Sequence, residues 1–532
     1  MKRAMFVVLA VSTAVLAFSA VARGQVGVGP GGGTPGTSLN FELVGHDPLF
    51  NRGMNAAPAM FGDHIYIGNR TDGSSTCGIG DPRRDPEDPD TFDDCPHERP
   101  GILIADVSDP ADPTVVGEIG PPFAANRGET TRELRVWPQE KLLIVLNFRC
   151  SPVIHACPGN AVTPIYRFFD LTDPADPEHI LTFVPRQADG GIRVPHEFYL
   201  WIDPEDPDRA LIVESDPTTS VNPERPNLIV RDISAVPSGG EPVEIAEGNW
   251  NQFFPGAENP ANYDFDLALH SMTPSADGER TYLAYLRGGF GVLDTSKVAN
   301  DEIPAGTVES LNDDLLTRVP LPTWGAGNRC AGHTAEGCAE SHSAIPLPGR
   351  PFAMTIDEVY GTFTFPSFGW PWGWARVFNV AQPRQPRMMS EYKILQNTEA
   401  YTPAPGEDEL TSYSSHNPTA TRNLVLDSWH SGGLQAIDVS DPGAPAQLGW
   451  FSPEPLPAVA TEDPALSRGP NKVVMWSFPI VKEGLIYVVD IRNGLYVLRY
   501  TGPRDGEVGG LSFLEGNSNL GDALRLAKSA RP

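Results

Sequence analysis

Four of the eleven histidines in this 532-residue chain recur at nearly equal intervals. Intervals of 74, 72 and 74 residues separate His196, His270, His342 and His416, and each stands just ahead of a run with the composition of a β-strand. Neutral imidazole is a common ligand of iron, copper and zinc, and an all-histidine set with open positions can bind oxygen or activate water. The spacing therefore predicts a metal site to which each repeat contributes one ligand.

Glu133, in TTRELRVW, occupies roughly the matching place one repeat earlier. A carboxylate beside a metal can serve as the base of a metal-assisted reaction, so Glu133 is the candidate catalytic residue. The alternative is that the histidines are inherited with the repeat and hydrogen-bond the neighbouring turn in each copy. His64 and His430 fall elsewhere in their repeats, and we interpret them as structural or surface residues.

The elements that must position these residues are copies of one strand–turn–strand phrase. Its best copies are GILIADVSDPADPTVVGEI, YRFFDLTDPADPEHILTF and LQAIDVSDPGAPAQLGWF. An apolar strand ends at an aspartate, Asp-Pro pairs make the turn, and a second strand follows. Weaker copies bring the total to seven, anchored at Asp106, Asp170, Asp232, Asp294, Asn379, Asp438 and Arg499.

A further strand pair precedes most anchors, so each repeat of about 60 residues has four short strands. Seven such units predict an all-β, seven-bladed β-propeller, with a linear β-solenoid as the alternative. The last repeat stops after its third strand at Tyr500, and Asn40–His46 reads as an unpaired fourth strand. We therefore expect an N-terminal strand to complete the last blade, a propeller over residues 40–502 and a tail over 503–532.

Each of the four histidines stands ahead of the first strand of its blade. In a propeller the first strand is innermost and lines the central channel. Four imidazoles from adjacent blades are therefore expected to meet near one mouth of the channel.

The repeat text ILIADVSDPADP, LIVRDIS and LQAIDVSDPGAP resembles the LVIVD-repeat family of exported propellers, over roughly residues 40–502. That resemblance implies a fold, export and surface or adhesive roles, but no reaction. One blade, HNPTATRNLVLDSWHSGGLQAIDVSDP, also resembles the selenium-binding and methanethiol-oxidase propellers, which implies copper held by histidines. Four histidines from separate blades are also similar in arrangement to the iron site of carotenoid-cleaving oxygenases.

The N-terminus predicts export. Lys2 and Arg3 precede an apolar run, and Ala20-Val21-Ala22 supplies the small residues of a cleavage site, so residues 1–22 read as a signal peptide. A retained membrane anchor is the alternative. Residues 23–39 are rich in glycine and proline and are expected to be a flexible leader. A secreted, periplasmic or cell-surface location follows, with no membrane span after cleavage.

The six cysteines fall into three sequence-local pairs, which in an exported chain predict disulfides. A metal cluster is the alternative, although no pair has C-x2-C spacing. The predicted pairs are Cys77 with Cys95, Cys150 with Cys157, and Cys330 with Cys338.

Composition and motifs exclude several classes. A formal charge of −29 removes the cationic surface that nucleic-acid binding needs. The chain has no G-x-S-x-G elbow, P-loop, dinucleotide fingerprint after a strand, or H-E-x-x-H. Clustered carboxylates in the insertion 80–100 could hold calcium, although the spacing is not that of an EF-hand loop.

Two functions from different classes remain. The leading hypothesis is a metal-dependent enzyme acting on a small molecule, an oxidase or oxygenase first and a hydrolase or lyase second. The alternative is a non-catalytic surface module that recognises a glycan or protein, for which a row of indoles in PSFGWPWGW is the candidate surface. We favour instead an aromatic strand packed between blades for this row, which comprises Trp370, Trp372 and Trp374.

Overall fold

The computed structural model describes residues 25–29, 31–79, 81–150, 155–159, 162–187, 190–217, 225–250, 269–286, 288–319, 340–358, 372–402, 411–467 and 469–528. Its strands form seven antiparallel sheets in chain order, which is the predicted seven-bladed β-propeller. Within each sheet the order of the four main strands is the order of the chain, apart from the outer strand of the last blade.

Blades 1 to 4 each consist of a first, second, third and outer strand. In blade 1 these are Asn55–Phe61, His64–Asn69, Ile102–Asp106 and Thr114–Ile119. In blade 2 they are Glu129–Trp137, Leu142–Arg149, Ile165–Asp170 and Glu178–Phe183. In blade 3 they are Glu197–Ile202, Ala210–Ser215, Leu228–Asp232 and Val243–Gly248, with Glu309–Ser310 added in parallel. In blade 4 they are Ser271–Pro274, Arg280–Ala284, Phe290–Asp294 and Leu315–Val319.

Blades 5 to 7 follow the same plan. Blade 5 has Ser341–Pro346, Phe352–Asp357, Ala375–Asn379 and Arg387–Ile394. Blade 6 has Asn417–Ala420, Leu424–Trp429, Gly433–Asp438 and Ala446–Ser452. Blade 7 has Ile480–Lys482, Leu485–Asp490 and Gly494–Tyr500, and its outer strand is the N-terminal Phe41–Asp47. The α-helices of the described residues are short: Ser296–Ala299, Asp505–Gly509 and Ala523–Lys528.

The aspartate that ends the third strand of a blade closes the following turn. Asp106 accepts a hydrogen bond from the backbone N–H of Ser108 at 2.8 Å, and Asp438 does the same with Ser440 at 2.8 Å. The backbone amide two residues on is thereby satisfied, so the strand ends at a defined residue. Copies of the repeat therefore form the same turn between the third and outer strands of their blades.

The N-terminal strand closes the ring as predicted, because Phe41–Asp47 pairs with the third strand of blade 7. The leader before it differs from our expectation of a flexible segment. Residues 25–29 pair in parallel with the outer strand of blade 5, and Thr37–Leu39 pairs with that of blade 6. Glycine allows the leader to approach the outer strand of blade 6 closely, since a Cβ atom at Gly31 would lie 2.4 Å from the Trp450 indole.

The C-terminal tail crosses the channel at the end opposite the histidines. Phe513–Glu515 pairs with the first strand of blade 7 and so lies inside it. The chain then reaches blade 3, where the Asn519 amide bonds both the N–H and the C=O of Ile202, at 2.8 and 2.6 Å. Asn517 donates to the carbonyl of Phe198 at 3.0 Å. The free edges of two inner strands are thereby paired across the channel.

Two of the three predicted disulfides are present, Cys77–Cys95 and Cys150–Cys157, and the third pair lies outside the described residues. Trp372 and Trp374 are buried in the core between blades 5 and 6, which agrees with the favoured interpretation of the aromatic row as a packed segment. Trp370 lies outside the described residues. The predicted signal peptide, residues 1–22, also lies outside the described residues. Among the described helices, none has the length and apolar character required to span a bilayer.

Candidate metal centre

The structure brings the four repeated histidines together in an arc. His196, His270 and His416 immediately precede the first strands of blades 3, 4 and 6, and His342 is the second residue of the first strand of blade 5. The ring centroids of successive histidines are 4.6, 4.0 and 4.3 Å apart. The closest contact joins the Nε2 atoms of His196 and His270 at 3.0 Å.

The Nδ1 atoms of three of these rings already have partners. His416 Nδ1 donates to the carbonyl of Trp476 at 2.7 Å, which places the proton of the neutral ring on Nδ1 and leaves the Nε2 lone pair free. His270 and His342 contact the hydroxyls of the residues that follow them, Ser271 at 3.0 Å and Ser343 at 2.8 Å. Such second contacts orient the rings as metal-binding histidines require.

The sequence did not point to Glu358 and His430 as site residues, nor to Glu197, which is described below. Glu358 follows the second strand of blade 5, and its carboxylate lies 3.4 Å from His416 Nε2 and 3.6 Å from His342 Nε2. His430 follows the second strand of blade 6, and its Nε2 lies 3.1 Å from Glu358 Oε1. Both occupy the same position in consecutive blades, 72 residues apart, and that spacing was the available signal.

The groups able to share an ion can be defined by distance. Two triads have ligand atoms that all lie within 4.8 Å of one another, and both contain His342. They are Glu197 with His270 and His342, and Glu358 with His342 and His416.

Two further sets of this kind, in the described residues, contain cysteines. They are Cys77, Asp81 and Cys95, and Cys150, His155 and Cys157. Their sulfurs form disulfides and offer no thiolate. The first set belongs to the acidic insertion, where Asp85 accepts a hydrogen bond from the following turn, from Glu87 N–H at 2.9 Å. In the described part of that insertion, no group of carboxylates lies close enough together to support the calcium prediction.

Electrostatics holds the second triad in the state that binds metal. Burial lowers the pKa of His416 to about 3 and the pKa of His342 well below its ordinary value. Burial acts in the opposite direction on Glu358, but the facing imidazoles, His416 first, lower its pKa to about 2. At neutral pH the triad therefore offers two neutral imidazoles and one ionised carboxylate, which is the donor state metals require.

Strand register shows that Arg132, and not Glu133, occupies the histidine position in blade 2. Glu133 pairs with Leu146 and Ser343 pairs with Ile356, which are equivalent residues of the two blades. Arg132 and His342 are the extra residues immediately before those pairs. The same bulge therefore turns both side chains toward the channel.

Glu133 lies one position further into the channel. Its Oε2 is 3.4 Å from Arg135 Nη2, and burial raises its pKa despite the arginines around it. Glu197 is its equivalent in blade 3. Glu197 approaches His270 Nδ1 at 3.6 Å, accepts from the Ser271 hydroxyl, and accepts from Asn517 of the tail at 3.2 Å. The described contacts thus assign the carboxylates beside the histidines to Glu197 and Glu358.

Most long connections of the propeller begin and end at the histidine face, although residues 295–314 of blade 4 lie on the opposite one. They are those between second and third strands, as in 70–101 and 358–374, and those between blades, as in 249–270 and 453–479. Connections on the opposite face include the short turns 62–63, 421–423 and 483–484. Since functional residues concentrate on elaborated loops, this asymmetry points to the same face as the histidines.

The stability of the metal-free protein should report the burial of these imidazoles. The folded pKa of His416, about 3, is below the unfolded value of 6.5, so its contribution is complete above pH 6.5 and is lost as the pH falls toward 3. The contribution of Glu197 to stability has the opposite pH dependence: burial raises its pKa from 4.5 to about 8, so this contribution is present at low pH and is lost as the pH rises toward 8. We therefore expect the pH profiles of urea unfolding for wild type and His416→Gln to converge below pH 6.5. Parallel profiles between pH 7.5 and 4.5 would contradict this expectation.

Comparisons with known proteins identify no family. No family model and no curated protein matches the sequence. Solved structures that match include a periplasmic gluconolactonase from Pseudomonas aeruginosa, with a TM-score of 0.43 at 10% identity over 75% of this chain and 86% of that one. A protein from Lactobacillus plantarum matches with a TM-score of 0.42 at 11% identity, over 75% of this chain and 86% of that one. A putative 6-phosphogluconolactonase from Bacteroides fragilis matches with a TM-score of 0.40 at 9% identity, over 74% of this chain and 83% of that one. At these identities and TM-scores the matches assign no function to this chain.

Proposed function

We propose that this protein is an exported metalloenzyme that binds one transition-metal ion at the histidine mouth of its channel and oxidises a small molecule there. The observation that carries the proposal is the triad of His342, His416 and Glu358, whose ligand atoms lie within 4.8 Å of one another. His270 and His196 continue the arc on one side, and His430 supports Glu358 on the other.

The donor chemistry favours iron. Two histidines and one carboxylate with open positions form the ligand set of non-haem iron oxygenases, in which the bound metal supplies oxygen activation. The chain itself holds the ligands neutral or ionised as required and orients His416 through its Nδ1 hydrogen bond. It also places the site at the end of the channel opposite the C-terminal tail.

Metal-assisted hydrolysis or elimination is the second candidate, because the same triad supports it. Two histidines and one glutamate also form a catalytic zinc site, where a fourth position holds water. Copper, which the single-blade resemblance implies, is a third possible ion. The metal that binds at one ion per chain decides among them.

A glycan- or protein-binding module has less support. The described indoles of the aromatic row, Trp372 and Trp374, are buried and present no stacking surface to solvent.

Two disulfides suit the oxidising compartment that export implies. The LVIVD resemblance is compatible with either function, and we propose membership of that family on the recurrent strand that ends in aspartate.

Metal loading of the folded protein tests the proposal. The metal-free protein is exposed in turn to Fe²⁺, Zn²⁺ and Cu²⁺, and bound metal is quantified after removal of excess ion. Wild type should retain one ion per chain, whereas Glu358→Gln, which keeps the shape but removes the charge, should bind at least about tenfold more weakly. Glu140→Gln, at a half-buried position in the turn between the first and second strands of blade 2, is the matched control. A folded wild type that retains none of the three metals contradicts the proposal.

A further inference from the structure

A cavity of about 350 Å³ opens on the face of the propeller opposite the histidines. The tail crosses that mouth of the channel from blade 7 to blade 3, and the cavity lies on the side of the tail that faces blades 4, 5 and 6. Its rim is formed by the turns 275–279 and 347–351 and by the tail helix Ala523–Lys528. A cavity of this volume can hold a small organic molecule.

The walls of the cavity are largely apolar, and its buried end is polar. Leu347, Ala420 and Leu514 supply aliphatic surface from blade 5, blade 6 and the tail. Tyr199 and Glu515 lie at the buried end, since each has less than a tenth of its surface accessible. Apolar walls with a few polar groups at one end suit a ligand that has an aliphatic body and one polar head.

Glu515 is the charged residue at the buried end, and its described contacts use little of its capacity to accept hydrogen bonds. Its side chain is 4% accessible. Among the described residues its carboxylate accepts one hydrogen bond, from the Ser518 hydroxyl at 3.1 Å. An ionised carboxylate offers about four acceptor positions. Burial of such a group is costly unless these positions are filled or the charge is paired.

The guanidinium of Arg135 does not neutralise Glu515, because it serves two carboxylates. Its Nη2 lies 3.4 Å from Glu133 Oε2. Its Nε lies 3.8 Å from Glu515 Oε1 and donates instead to the carbonyl of Asn517 at 3.2 Å. Burial raises the pKa of Glu515, and the attraction of Arg135 offsets this effect only in part. A second cation with N–H groups would therefore stabilise the ionised carboxylate.

The charged groups at the rim do not favour an anion. Asp277 is an exposed carboxylate in the turn of blade 4. The guanidinium of Arg350 is engaged by blade 6, where it donates to the carbonyls of Val439 at 2.7 Å and Ser440 at 3.0 Å. An acidic ligand would gain little from this arginine and would be repelled by Glu515 at the buried end.

We infer that this cavity binds a small organic ammonium ion, with its N–H groups on the carboxylate of Glu515 and its apolar body along the aliphatic walls. The cavity is at the opposite end of the channel from the histidines, so the inference does not depend on the proposed function. It gives the tail a role in ligand binding in addition to its role in the fold.

Titration of the metal-free full-length protein with n-hexylammonium tests the inference. Hexanol and hexanoate, which carry the same chain with a neutral or an anionic head, are titrated in parallel. Binding is followed by calorimetry and by the thermal midpoint. Wild type should bind one n-hexylammonium ion per chain, and it should bind both analogues at least about tenfold more weakly because neither supplies a charge opposite to that of Glu515.

Three variants locate the binding. Glu515→Gln keeps the shape of the side chain but removes its charge, and should bind n-hexylammonium at least about tenfold more weakly than wild type. Ala527→Leu narrows the cavity from its helix wall and should weaken binding while the carboxylate is retained. Glu279→Gln removes an exposed carboxylate from the turn of blade 4, outside the cavity lining, and should match wild type.

Each remaining outcome overturns the inference. They are the absence of n-hexylammonium binding by wild type, equal or tighter binding of hexanol or hexanoate, and equal affinity of Glu515→Gln and wild type. If Glu515→Gln does not fold, equal affinity of Ala527→Leu and wild type overturns the inference as well. Because no metal is present in the titration, a failure to bind metal would refute the proposed function without affecting this result.

Discussion

Replacing His342 with alanine should abolish metal binding at the channel while the propeller remains folded. His342 is the member common to both triads, so its loss removes a ligand from either arrangement. We expect the affinity for the ion to fall by more than about 100-fold, because loss of a hydrogen-bond partner of a ligand already costs roughly 10–100-fold and His342 would bind the ion directly. The measurement is metal content after dialysis, with near-ultraviolet circular dichroism to verify the fold.

Two further variants sharpen that experiment. His196→Ala removes the ring at the end of the arc, which belongs to neither triad, and should weaken binding far less than His342→Ala. His64→Ala, at the start of the second strand of blade 1, should bind as wild type does. Equal losses in His196→Ala and His342→Ala would show that His196 also binds the ion. Retention of a full equivalent by His342→Ala would refute the site.

Deleting residues 511–532 should lower the free energy of unfolding by at least about 5 kcal/mol. The tail buries Leu511, Leu514 and Leu520, and each fully buried leucine contributes roughly 1.5–3 kcal/mol. The deletion also exposes the inner strand edges of blades 3 and 7, whose backbone groups the tail now pairs. Urea unfolding measures the loss, and deletion of 529–532 alone is the control.

The same deletion should affect the metal site, because the tail contacts it through Glu197. Asn517 donates to Glu197, and Glu197 in turn approaches His270. Asn517→Ala isolates this contact, and we expect a modest loss of metal affinity with most of the stability retained. Unchanged stability after removal of 511–532 would show that the tail is not part of the fold.

The four histidines were predictable because their spacing repeats with the blades, and they lie at the first strands as expected. Glu358 and His430 lie after the second strands, whose ends reach the same face, and the pattern of first strands does not reveal them. Glu133 was expected at roughly the histidine position of blade 2, but a one-residue bulge places Arg132 there and Glu133 one residue later. A shift of one residue changes which side chain faces the channel, and the amino-acid composition of the strand does not reveal such a shift.

The leader shows a second limit. Glycine and proline predict flexibility when a segment is considered alone, yet residues 25–29 and 31–39 lie along the outer strands of blades 5 and 6. A strand edge supplies hydrogen-bond partners that no local property of the leader reveals. The missing side chains, which argue against an independent fold, are what permit close approach to Trp450 and Gln447.

The seven repeats, the closure of the ring by its N-terminus and the four histidines at one mouth follow from the period and strand pattern of the sequence alone. The carboxylates that face those histidines, the residue of blade 2 that takes their position and the path of the tail at the opposite end depend on tertiary contacts. The contacts of Glu358 with His416, of Asn517 with Glu197 and of Arg132 with Trp476 join residues more than 50 positions apart, and their geometry depends on strand register and on the close packing of neighbouring blades.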